Sequence, residues 1–221
     1  MLTDSKLKRE RICKRIAQEL EDNSLVNLGI GMPTLVANYI PKDKTILLHS
    51  ENGFTGLIPA ENHDHPDMDI VNAGGAPVSI AKGGVFFDSL TSFSIIRGGH
   101  LHTTVLGALE VDQKGNLANY KIPGKMVPGM GGAMDLVVGA RKVIIAMEHL
   151  NKKGESKILK KCSLPLTAKG EVDLIVTDLA VMRVTREGLL LEEIAIDTTV
   201  EEVRAHTDAD LIVSENMKVF G

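Results

Sequence analysis

The chain has 221 residues, 43% of them hydrophobic and 24% charged, and its 25 basic and 29 acidic side chains leave a net charge of −4. That balance argues against a sequence-independent nucleic-acid binder, and a chain this long buries roughly 70% of its unfolded surface without a disulfide or metal staple. Cys13 and Cys162 fall outside any CxxC spacing, no apolar run approaches the length of a membrane span, and the charged N-terminus lacks a signal-peptide core, so a soluble cytoplasmic protein is expected.

In chain order, residues 4–22 read as a helix, because Ile12, Ile16 and Leu20 recur at i, i+4 spacing. Residues 25–29 read as a short buried strand, and Pro33 opens a second helix over residues 33–40 that Pro41 stops. Residues 45–49 form a further apolar strand. The stretch from about 65 to 120 looks richer in strands, with Val71 and residues 85–87, 93–96 and 101–109 as short candidates. Helix and strand then alternate: a helix over residues 134–140, strands over 142–147 and 174–177, and a late helix over 198–205 with Glu201 and Glu202 in its capping region. Apolar strands alternating with helices imply a single three-layer α/β domain, residues 1–221, with a mostly parallel, Rossmann-like sheet.

The 21 glycines cluster beside apolar runs, and aromatics are scarce: no Trp, two Tyr and five Phe. Stacking of single-stranded nucleic acid is therefore excluded. Gly29-Ile-Gly31-Met-Pro33 sits between a strand and a helix, but Thr34 stands where a dinucleotide fingerprint needs a third Gly. A tight turn and a polar-ligand site remain equal readings of it. Residues 49–53, His-Ser-Glu-Asn-Gly, put Glu51 at the carboxyl end of a buried strand, followed by a dipeptide that favours positive φ. Ligands in open α/β sheets bind outside such strand ends, so Glu51 reads either as a reactive carboxylate or as a solvated Glu beside a turn. Glu148 and Glu215 are rivals: the first lacks the turn dipeptide, and the second leads into an exposed tail. Residues 122–135 carry two Pro-Gly turns and a Gly-Gly pair ahead of a helix, a source of backbone oxyanion donors, with Asn119 just upstream. His63 with His65, and His100 with His102, offer two metal ligands each; without a third and fourth ligand no metal site is expected.

Taken in order, residues 26–31 (Val-Asn-Leu-Gly-Ile-Gly), 50–53, 96–100 (Ile-Arg-Gly-Gly-His), 117–119, 122–126, 129–136 (Gly-Met-Gly-Gly-Ala-Met-Asp-Leu), 147–149 and 161–166 resemble the B (β) subunit of family I coenzyme A transferases. The acetoacetate/butyrate-type and 3-oxoacid (succinyl-CoA) enzymes form that group. The resemblance implies that Glu51 attacks an acyl-CoA and carries coenzyme A as a glutamyl thioester, in ping-pong transfer to a short-chain carboxylate or 3-oxoacid, chemistry of short-chain fatty acid and ketone body metabolism. It places Asn119, Gly131, Gly132 and Asn52 around the reacting carbonyl, and Gly29, Gly31, Gly74 and Gly75 in the CoA or active-site wall. Coenzyme A is then a substrate, with no other cofactor. A separate A (α) subunit completes the site, in an A2B2 heterotetramer, with no nucleic acid or membrane among the partners. The 3-oxoacid enzymes typically carry Lys where this chain has Gly75, which points to a monocarboxylic pair such as acetoacetate, acetate or butyrate. Two other readings remain: a sugar-phosphate isomerase of related fold, and a non-catalytic module that binds CoA esters or metabolites.

Overall fold

A computed structural model describes residues 2–60, 64–125 and 129–221. Helix α1 (Ser5–Glu19) starts where the Asp4 carboxylate accepts from the Lys6 N–H, and it buries Ile12, Cys13, Ile16 and Ala17. Strand β1 (Ser24–Leu28) follows, then a 3-10 helix (Met32–Tyr39), β2 (Ile46–Ser50), β3 (Phe54–Pro59) and β4 (Val78–Phe86). Next come α2 (Ser89–Arg97), β5 (Thr103–Leu106), β6 (Glu110–Asp112), β7 (Leu117–Ala118) and α3 (Ala133–Gly139). The last third holds β8 (Lys142–Ala146), β9 (Ile158–Leu159), β10 (Leu174–Val176), β11 (Ala180–Val184), β12 (Leu189–Ala195), α4 (Val200–Ala205) and β13 (Leu211–Phe220).

Ten strands make one sheet in the order β13-β12-β11-β10-β8-β5-β1-β2-β3-β4, and β7-β6-β9 make a small second one. The central run from β10 to β2 is parallel throughout, while β11 and β12 on one flank and β3 and β4 on the other pair antiparallel. Neighbouring residues of a central strand feed opposite cores, as a strand buried on both faces requires. In β8, Val143 and Ile145 join Ile96, Leu136 and Ile175 on the α2–α3 face, whereas Ile144 and Ala146 join Ile12, Ile16 and Val36 beneath α1 and the 3-10 helix. The three layers follow from that alternation. Helix α1 is also fastened by charge: Arg15 donates to both carboxylate oxygens of Glu193 (2.8 and 2.7 Å) and to Glu19 (2.7 Å), which also accepts from Lys142 at 2.7 Å.

Three expectations change. Residues 93–96 lie on helix α2, not a strand: Asp88 caps it by accepting from the Thr91 N–H at 2.7 Å, and its buried side chains, Ser92 and Ile96, are spaced by four. The segment opened by Pro33 is a 3-10 helix. Residues 214–216 belong to edge strand β13, parallel to β12, and are no tail. The hairpin β11–β12, which gave no turn signal recognised in the sequence, extends the sheet. No helix among the described residues is long and apolar enough to cross a membrane. The capping of α4 is as expected, with Thr199 and Glu202 forming a reciprocal box.

His149, just past β8, is fully buried, its Nδ1 2.9 Å from Thr177 Oγ1 and its Nε2 3.0 Å from Thr207 Oγ1. Burial holds its pKa down to about 4. The folded state thus keeps the ring neutral while the unfolded chain takes up a proton below about pH 6.5, so its contribution is intact above that pH and is lost as pH falls toward 4. The expected cost near pH 4 is about 3 kcal/mol, at roughly 1.4 kcal/mol per unit. Thermal melts from pH 7 to about pH 4.5 should show a shallower loss of Tm in His149→Gln than in the parent; equal slopes would contradict this assignment.

Candidate active site

The carboxyl ends of the parallel strands all open on one side of the sheet, and Glu51 stands at the end of β2. The chain must reverse there into β3. Gly53 makes the reversal with φ +129°, and a Cβ on it would lie 2.3 Å from the Phe87 carbonyl. Its N–H reaches Ser50 O at 3.0 Å, and its own carbonyl accepts from the Phe87 N–H at 2.9 Å. Gly53 is therefore a steric requirement of the turn that presents Glu51.

The half-buried Glu51 side chain has a defined setting. Asn27, from the neighbouring strand β1, donates from Nδ2 to Glu51 Oε2 at 3.1 Å and to the His49 carbonyl at 3.2 Å. On the other side, a Cβ placed on Gly132 would lie 3.4 Å from Glu51 Cγ and 3.3 Å from the Phe93 ring. A side chain at this position would press on the Phe93 ring and stand in van der Waals contact with Glu51. At Gly139, at the far end of α3, a Cβ would strike the Ile96 carbonyl of α2 at 2.3 Å. The close packing of α2 against α3 thus sets Phe93 and Gly132 beside Glu51.

A loop over residues 71–77 closes the other flank. Asn52 donates to the Val71 carbonyl at 2.8 Å and accepts from Ser50 Oγ at 2.6 Å, and Ser50 Oγ accepts from the Ala73 N–H at 3.1 Å. Asn72 Oδ1 accepts from the N–H groups of Gly74 (2.9 Å) and Ala76 (3.0 Å), which keeps the loop tight. Between this loop, the 3-10 helix and β2 lies a cavity of about 150 Å³. Its lining includes Glu51, Leu28, Ala37, Leu48 and Leu57, and its wall carries no Lys or Arg among the described residues.

Beneath Glu51 the face toward α2 is polar. His49 is buried, stacked on Phe87 at 6.0 Å between centroids, with Nε2 3.1 Å from Ser92 Oγ, and burial holds its pKa down to about 4. The ring is therefore neutral at physiological pH.

Of the residues singled out in the sequence, Glu51, Asn52, Gly132, Gly31 and Gly74 meet around this cavity and carboxylate. Gly75 and Gly131 have φ of +77° and +51° with open space at the Cβ position. Gly29 has a packing part: its N–H bonds the Val105 carbonyl at 2.8 Å, and a Cβ would sit 3.0 Å from that oxygen and from the Leu106 side chain. Asn119 holds the Gly107 carbonyl at 3.2 Å and accepts from Thr167 Oγ1 at 2.6 Å, a cross-link of strand-end loops with no bond to Glu51 among the described residues. Asn27, His49 and Phe93 went unassigned in the sequence. Asn27 was detectable only as a polar residue inside an apolar strand.

The rival carboxylates are otherwise engaged or placed. Glu148 accepts from Ser5 Oγ at 2.8 Å and lies 3.8 Å from Arg9 of α1, and Glu215 is exposed on β13. His102 Nδ1 accepts from the Leu25 N–H at 3.1 Å, which ties it to β1. His63 lies outside the described residues, as do Met126, Val127 and Pro128 of the glycine-rich stretch. Burial pushes the Cys13 thiol up to about 11, and burial with nearby Asp112 and Glu110 pushes Cys162 up to about 12, so neither is a thiolate at neutral pH.

Known proteins resemble this chain over most of its length. The chain is 56% identical over 210 residues to the beta subunit of the acetate CoA-transferase of Haemophilus influenzae, covering 95% of this chain and 94% of that one. It is 48% identical over 205 residues to one subunit of the succinyl-CoA:3-ketoacid coenzyme A transferase of Helicobacter pylori, covering 93% and 99%. Among solved structures, the acyl-CoA transferase YdiF of Escherichia coli O157:H7 superposes with a TM-score of 0.78 at 22% identity, over all of this chain and 44% of that one, a likeness of fold. The model of the coenzyme A transferase family matches residues 9–206. With a match of that length, a parallel sheet of the same architecture and a carboxylate at a strand end, the chain belongs to the coenzyme A transferase family.

Proposed function

We propose that residues 1–221 act as one unit, the β-type half of a CoA-transferase that moves coenzyme A from an acyl-CoA to a short-chain carboxylate or 3-oxoacid, with Glu51 as the acyl acceptor. The observation that carries this reading is the position of Glu51: its carboxylate is held by Asn27 at the wall of a small apolar cavity, at a strand end.

In the proposed reaction a Glu51 carboxylate oxygen attacks the thioester carbonyl, the C–S bond breaks, and the CoA thiolate leaves a mixed anhydride. The thiolate then attacks the Glu51 carbonyl carbon, expelling the first acid as its carboxylate and forming glutamyl-CoA. The carboxylate of the second acid attacks that thioester and displaces the thiolate again. Attack of the thiolate on the new acyl carbonyl regenerates Glu51 and releases the new acyl-CoA. No proton needs to move in any step. The residue type follows from the energetics: a carboxylate passes through an anhydride and a thioester, so acyl activation is kept, whereas a Ser would discard it in a stable ester.

Each developing oxyanion needs donors, and the Asn119 amide with the backbone of Gly131 and Gly132 is assigned that part. The Nδ2 of Asn119 has a second hydrogen beyond the one given to Gly107. Water must be kept from glutamyl-CoA, and an apolar cavity does so on this side. Both relatives bear names that mark them as single subunits of a larger enzyme, which supports an A (α) subunit as the partner that covers the other side, in an A2B2 assembly. Coenzyme A enters as substrate and covalent intermediate, and no further cofactor is invoked.

A cavity near 150 Å³ with aliphatic walls is of the size that holds a benzene-sized ligand, which suits short, uncharged acyl chains. A second carboxylate buried there would face Glu51 without a cation to pair with, at a cost of several kcal/mol. Co-purified with its α subunit, Glu51→Gln should lose exchange between acetoacetyl-CoA and acetate by at least about 10³-fold with the fold intact by circular dichroism; retained exchange would exclude Glu51 as acceptor. Ala37→Leu, which fills the cavity, should raise the KM for butyrate about tenfold, roughly the 1.4 kcal/mol of displaced packing, while that for acetate moves less than about threefold. Equal effects on both acids would place the acyl chain elsewhere.

A further inference from the structure

Among the described residues, three buried side-chain polar atoms have no hydrogen-bond partner: Asn27 Oδ1, His49 Nδ1 and Thr104 Oγ1. They are neighbours. Asn27 of β1 is level with His49 of β2 on one side and with Thr104 of β5 on the other. Residues level with one another in adjacent strands point to the same face, so the three form one row across the sheet. The face is that of α2, since His49 meets Ser92 there. Exposure of the three residues is 3% or less.

A buried polar atom left unsatisfied costs about 1–3 kcal/mol, and each one calls for an explanation. Here the explanation comes from the orientation of Asn27. Both of its amide contacts, Glu51 Oε2 and the His49 carbonyl, are acceptors. Nδ2 must face them, because the flipped amide would set Oδ1 against a carboxylate. Oδ1 is thereby left requiring a donor. The Thr104 hydroxyl, level with Asn27 on β5, has a hydrogen to give, and buried polar groups of this kind are commonly bridged by ordered water.

We propose that Thr104, Asn27 and His49, joined by ordered water, form a buried positioning row that fixes the Asn27 amide and, through it, the Glu51 carboxylate in the attitude needed to attack an acyl carbonyl. This rests on the reading of Glu51 as acyl acceptor. Thr104 and His49 touch no substrate; they are positioning residues acting through Asn27.

The test is Thr104→Val in the complex with the α subunit, since valine keeps the shape and removes only the hydroxyl. If the hydroxyl were a structural remnant, its loss would leave kcat unchanged. The row predicts instead that kcat and the single-turnover rate of Glu51 acylation fall about tenfold, in line with the sensitivity of reactions to small misplacement. KM for acyl-CoA should stay within about twofold, Tm should not fall, and Thr104→Ser should restore the rate. Equal acylation rates in the parent and Thr104→Val would overturn the row alone, as would equal losses in the Val and Ser variants. A parent enzyme that forms no Glu51 adduct would overturn the functional reading itself.

Discussion

The hydrogen bond from Asn27 to Glu51 carries a conflict that the rest of the site is arranged around. In the proposed reaction, a carboxylate that is to become a thioester must be kept from water, yet it must be pointed at a carbonyl carbon. Full burial would favour the neutral form, and free exposure would leave glutamyl-CoA open to hydrolysis. At the end of β2 the half-buried Glu51 has one amide donor from β1 on Oε2, Gly132 beside its Cγ, and a mostly apolar cavity alongside.

That setting depends on packing at a distance. Phe93 and Gly132 lie near Glu51 because α2 and α3 touch at Gly139, and the 71–77 loop is in place because Ser50 and Asn52, on either side of Glu51, hold it with their side chains. The same five-residue stretch therefore provides the candidate carboxylate, the turn that presents it and the clasp for one cavity wall. The histidine in that stretch has a different part, buried and neutral beneath the strand, where it continues a polar row toward β5.

Much of this was legible in the sequence. Largely apolar runs at β1, β2, β8 and β10 marked strands buried on both faces, and Glu51 followed by Asn-Gly marked a strand end projecting a carboxylate. The misreadings have separate causes. Residues 93–96 carry apolar side chains without strict alternation, and the spacing that settles them as helical, Ser92 with Ile96, includes a polar residue in the buried position. β13 lacks a continuous apolar run because it is an edge strand with much of its surface exposed. Asn27 stood out only as a polar residue in an apolar strand, and its role was hidden because its partner lies on another strand and the pairing exists only once β1 and β2 are in register. At Gly29, read in the sequence as a tight turn or a ligand site, the close neighbour in the structure is β5.

The central claim is that Glu51 transiently carries the activated acyl bond. The direct measurement is peptide mass mapping after the complex with its α subunit is mixed with acetoacetyl-CoA and quenched in hydroxylamine, which converts a glutamyl thioester to a hydroxamate and frees CoA. The account predicts the hydroxamate on the peptide containing Glu51 and nowhere else. A hydroxamate on Glu148, or none on either peptide while exchange proceeds at full rate, would contradict it.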